Sequence, residues 1–170
     1  MKITLIGMDR TRENIGRRAP RHFRDLTVPL KRVEAYMIGE SISKNFREGG
    51  RPKRWAALSG ATATINPRRQ GGKPLQDTGA HIKNRITGKI EGGYRLVIGA
   101  GGKIPTIQQK GAKIRVTPAM RKFLAAKGIY LSATTKEIKI PGRQFILFQP
   151  EDIGAINKIF RDWSRNYKGV

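Results

Sequence analysis

Apolar residues first fall into a helical stripe after residue 27. Leu30, Val33, Met37, Ile42 and Phe46 recur three to five apart, with Ile38 beside them, which is one face of a helix. Thr27 is placed to cap, Pro29 suits the first turn and Gly49 stops the run, so the pattern predicts a core helix over residues 27–48. Near the other end, Ile153, Ile156, Phe160, Trp163 and Tyr167 are spaced 3, 4, 3, 4, the clearest periodicity in the chain. Glu151 and Asp152 follow Pro150 and put acid at the positive end of that helix. Docking on its own sheet is favoured over docking on another subunit. A third, shorter helix opens at Thr117-Pro118, with Met120, Phe123 and Leu124 as its apolar side and Gly128 as its stop.

Alternating or β-branched runs predict strands between these helices. They cover residues 2–7, 81–90, 94–98 and 112–116, a pair at 129–131 and 136–140, and a buried strand at 145–148. Gly92-Gly93 is the hairpin signal between the second and third. Tyr94, Leu96 and Ile98 would share one face, with Arg95 and Val97 on the other. The expected class is α+β: a mostly antiparallel sheet packed by the N-terminal helix and the C-terminal amphipathic helix. Its 170 residues suit a single domain.

Residues 49–80 break the pattern. Pro52, Pro67, Pro74 and paired glycines interrupt any long element. The basic residues are Arg51, Lys53, Arg54, Arg68, Arg69 and Lys73, and apolar anchors are few, chiefly Trp55, Leu58 and Leu75. Such a segment cannot fold as its own domain. It reads as a long extended basic arm making subunit-interface contacts, held by Trp55 and Leu58.

Charge sharpens that reading. The chain carries 35 Lys and Arg against 12 Asp and Glu, a net +23, and such an excess repels itself unless a polyanion or an acidic protein neutralises it. Between Gly92 and Lys136 nine basic residues meet no acid. Arg17, Arg18, Arg21, Lys113, Arg115, Arg121 and Lys122 are the polyanion-facing candidates. Residues 9–24 read equally as a solvated loop and as a polyanion-binding tail. There is no cysteine, which removes disulfides, thiol catalysis and thiolate metal sites. No apolar run approaches a membrane span, and residues 1–7 are too short for the apolar core of a signal peptide. The expectation is a soluble protein made in the cytoplasm, with no membrane partner.

Catalytic groupings are incomplete. His22 and His81 lack a second ligand at metal spacing. The Gly99-Ala-Gly101-Gly102 turn lacks the third glycine of a dinucleotide loop, Ile104 standing in its place, and it reads as a flexible turn. Asp77 in Leu75-Gln-Asp-Thr-Gly79 reads as an Asx-type turn. An aspartic hydrolase would need a second opposed carboxylate, which only a dimer could supply. No enzyme, cofactor or metal is expected.

The order of motifs carries a resemblance. A helix ends in Phe46-Arg-Glu-Gly-Gly-Arg-Pro; Trp55-Ala-Ala-Leu58, Ser59-Gly-Ala-Thr62 and Lys73-Pro-Leu75-Gln-Asp-Thr-Gly79 follow. Then come Val97-Ile-Gly99, Ile107-Gln-Gln-Lys-Gly111 and Ile140-Pro-Gly-Arg-Gln-Phe145, before a terminal helix. This resembles the phage virion morphogenesis family, the tail completion and neck proteins of Mu-like and P2-like tailed phages. The chain departs from the family at Ile104, Gln108 and Lys110, and keeps the arginine of the Pro-x-Arg-x-Phe element as Arg143. The resemblance implies structural work at the head–tail junction of the virion, as a ring or multimer, with a hexamer expected. Its partners would be neighbouring neck, head-completion and tail-tube proteins, and DNA passing through the lumen. From charge alone, the alternative is a basic nucleic-acid-binding protein of architectural or ribosomal type.

Overall fold

A computed structural model describes residues 2–4, 25–77 and 82–166, and it is α+β. The first helix, α1 (Thr27–Tyr36), begins on a cap that lies earlier than expected. The N-cap position is Leu26, which makes no side-chain cap bond; one residue before it, Asp25 Oδ1 accepts the Thr27 N–H at 2.8 Å. This hydrogen bonding, from the Thr27 side chain first and then its backbone, holds the Asp25 carboxyl below its ordinary pKa. The helical run continues through a π-helical stretch, Met37–Ile42, into α2 (Ser43–Glu48). Inside that run Ser43 Oγ donates to the Ile38 carbonyl at 2.9 Å. Gly49 ends it at φ 73°, a conformation that glycine adopts freely.

By contacts the chain divides into two compact units. Unit 1 holds residues 1–45, 86–100 and 146–170; unit 2 holds residues 46–85 and 101–145. In unit 1, β1 (Lys2–Thr4), β2 (Ile86–Glu91) and β3 (Arg95–Ala100) form an antiparallel sheet ordered β1-β3-β2. Glu91 pairs with Arg95 across the glycine turn, and Gly92 and Gly93 take φ of 61° and 74°. Residues 82–85 are turn and 3₁₀-helix rather than strand, because the register starts at Ile86↔Ala100. Leu96, Val97 and Ile98 are all buried, so the central strand is covered on both faces. Helix α1 packs on β2 and β3. Gly88 permits this approach, since a Cβ there would lie 2.5 Å from the Glu34 carboxyl.

Helix α6 (Pro150–Arg165) packs mainly on α1 rather than on the sheet. Its Trp163 is buried, whereas Ile153 is 55% exposed. Asp152 is fully buried. It accepts from Tyr36 Oη at 2.9 Å, Ser41 Oγ at 2.8 Å and the Gln149 N–H at 2.8 Å. Asp152 stands in the first turn, as the sequence places it, and is in addition a buried junction.

Unit 2 contains α3 (Gly60–Ile65), α4 (Lys103–Lys110), α5 (Pro118–Ala126) and a ribbon of β4 (Ala112–Arg115) with β5 (Glu137–Ile140). There are therefore two small sheets where one was expected. Residues 137–140 pair with 112–115 and not with 129–131. Residues 145–148 are buried or half-buried but form no strand. Thr117 caps α5 as its sequence predicts, accepting the Met120 N–H at 3.2 Å. Helix α4 was not expected: Pro105 sits in its first turn, where a missing N–H goes unnoticed. At the centre, Phe46 and Phe145 are fully buried with ring centroids 5.8 Å apart.

Candidate functional site

The segment expected as an extended arm is partly helical and is tied down within unit 2. Ser59 caps α3 by accepting the Thr62 N–H at 3.3 Å, and Pro67–Arg69 form a 3₁₀ turn. Alternating alanine and threonine hid α3, although Ser59 was a legible cap signal. Trp55 sets its edge on Phe46, centroids 5.4 Å apart, and donates its indole N–H to the Gln144 carbonyl at 3.1 Å. Gln76 donates to the Phe46 carbonyl, and Lys73 Nζ reaches the Arg47 carbonyl at 3.4 Å.

The basic candidates separate into two groups. Lys53, Arg54, Arg68, Lys113, Arg115 and Lys122 are exposed. Arg51 is half-buried, 3.9 Å from the Glu48 carboxylate. Arg69 turns inward to the Gln76 and Lys73 carbonyls and lies 3.6 Å from Asp77. Arg121 staples the loop after α5, donating to the carbonyls of Leu131, Ser132, Ala133 and Thr135. Arg17, Arg18 and Arg21 lie outside the described residues. By sequence, unit 2 carries 19 Lys and Arg against three acids (Glu48, Asp77 and Glu137), so +16 of the net +23 belongs to it.

Unit 2 also holds a cleft of about 650 Å³. Aliphatic side chains dominate its wall, among them Leu58, Leu75, Ile104, Leu131, Ile138 and Ile140. None of these six is fully buried. Among the described residues of unit 2, the apolar side chains buried outright are Phe46, Ile82, Pro105, Leu124 and Phe145, so the unit leaves much of its aliphatic surface in this cleft. Leu75 lines it with a φ of 62°, a left-handed conformation that a branched side chain adopts under strain.

Arg143 is the polar feature of that wall. It is 6% exposed. Its Nε donates to the Ala56 carbonyl at 2.9 Å, Nη2 to the Ala57 carbonyl at 3.0 Å and Nη1 to Gln108 Oε1 at 3.0 Å. All three acceptors are neutral, and no described carboxylate pairs with it. Burial accordingly pushes its pKa down. The sequence marked Arg143 only as a motif residue; its burial in a cleft came from pairing too distant to read locally.

Among the described residues no helix is long and apolar enough to cross a membrane, and no cluster of three or more His, Cys, Asp or Glu could hold a metal ion. Compared with family models, curated proteins and solved structures, the chain finds no match.

Proposed function

We propose that this chain is a structural, non-enzymatic phage protein of the head–tail neck, acting in tail completion or termination. In this reading it forms a ring, a hexamer, that joins the tail to the DNA-filled head. The helical run over residues 27–48 and α6 serve as the platform, and residues 49–80 contribute to contacts between subunits. The ordered series of motifs suggests the class. The observation that carries the reading is the concentration of +16 on unit 2, which suits a surface facing DNA or an acidic ring protein. The test is to image particles assembled with and without the protein. Full heads and finished tails that fail to join in its absence support the reading; normal joining overturns it.

A second reading draws on the same charge: a basic nucleic-acid-binding protein of architectural or ribosomal type. Binding to random duplex DNA across a salt series separates the two. A slope equivalent to roughly six or more released phosphate contacts favours the second reading. Negligible binding at physiological salt removes it.

A further inference from the structure

The cleft of unit 2 has a shape and a charge that together select an occupant. Ile138, Lys139, Ile140 and Pro141 line it consecutively. Successive strand side chains point to opposite faces, so three strand neighbours in a row, followed by Pro141 just past the strand, place the edge of β5 along the cleft. That edge is open. The ladder pairs Ile114 with Ile138 and Lys113 with Lys139, and the Val116 N–H donates to the Lys136 carbonyl at 2.8 Å. Hydrogen-bonded pairs alternate in an antiparallel ribbon. Residues 136, 138 and 140 therefore bond inward to β4, and the Glu137 and Lys139 backbone groups point away from it. No third strand covers them among the described residues.

Just past the end of β5 lies Arg143. Its three neutral bonds use three of five guanidinium N–H groups, and two remain. A buried cation without a counter-charge is expensive, and a carboxylate is its natural complement. The other charges on the wall are Arg69, Asp77 and Lys139, and Asp77 is already beside Arg69. A second copy of this +23 chain is a poor occupant, since Lys139 on the edge repels it. We propose that the cleft receives an extended segment of a partner protein, in which an Asp or Glu is flanked by aliphatic residues, adding as a strand to the open edge of β5 and setting its carboxylate on Arg143. The aliphatic wall takes the flanking side chains. The inference does not depend on the neck reading, because it concerns only the chemistry of the segment bound.

The test uses the full chain and a fluorescein-labelled peptide, Thr-Val-Glu-Ile-Val-Thr, with blocked ends, at about 0.15 M salt, where long-range attraction is screened. Saturable binding is expected, weakened about tenfold when Glu becomes Gln. N-methylation at the ladder positions should weaken it by a similar factor. The preference for Glu over Gln should vanish in Arg143→Gln; if that variant does not fold, the peptide changes still decide. A scrambled peptide of equal charge that binds as well would overturn the proposal, as would indifference to N-methylation. So would binding of decanoate by a cleft that takes no peptide, since the site would then accept a small apolar acid rather than a chain.

Discussion

Asp25 shows how much one carboxylate does at the start of a helix. It accepts the Thr27 N–H, the first of α1, and is ionised more easily in the folded chain than in the unfolded one. A depressed folded pKa contributes stability above the unfolded value, near pH 4, and that contribution is lost as pH falls through the folded value. Asp25 is exposed and solvent screens the interaction, so Asp25→Ala is expected to lower the unfolding free energy by only about 0.5 kcal/mol at neutral pH. The gap to wild type should close in strong acid, as read by urea titration at several pH values. Trp55 works differently, through an aromatic edge on Phe46 and one hydrogen bond to Gln144. Trp55→Ala should lose about 3 kcal/mol, the lower part of the usual range because the ring is only half-buried. Trp55→Phe keeps the ring contact and should lose about 1 kcal/mol. Denaturant titration checks both, and equal losses would show that packing contributes nothing there.

At the scale of elements, the ribbon of unit 2 depends on two glycines that meet. Gly111 has φ 78°, and a Cβ there would sit 2.8 Å from the Ile140 carbonyl oxygen and the Gly142 nitrogen. Gly128, with φ 74°, faces open space. Gly128→Ala should therefore cost about 1 kcal/mol from the backbone alone. Gly111→Ala should cost about 2 kcal/mol or more, since rigid backbone stands in the way. Thermal unfolding of the two variants separates conformational strain from crowding. What the sequence revealed divides along the same line. Helix over residues 27–36, 118–126 and 150–165 was legible because a stripe three and four apart is a local signal, whereas the π-helical stretch at 37–42, inside the run read as one helix, was not. The pairing of β4 with β5 spans more than twenty residues and left no local trace, so residues 129–131 were given as the partner. The buried partners of Asp152 and Arg143 are illegible for a related reason. A first-turn acid has an adequate local explanation, and nothing in its neighbourhood announces Tyr36 and Ser41.

For the whole molecule, charge is the dominant quantity, and it is not evenly shared between the two units. Lys113, Arg115 and Lys122 are exposed, whereas Arg121 is committed to its own loop. Reversing the three exposed residues to Glu should leave stability within about 0.5 kcal/mol. If duplex DNA is bound, each lost phosphate contact should flatten the salt slope by about 0.9. Arg121→Glu should instead destabilise the fold. An unchanged slope after the triple reversal would move any polyanion contact to other residues of the chain.

The route of the backbone between the units decides which of them depends on the last helix. Unit 1 draws on three separate stretches and needs α6, whereas unit 2 has all its residues once position 145 has been made. Every residue of the basic unit therefore precedes α6 in the chain, so unit 2 can fold without that helix whereas unit 1 cannot.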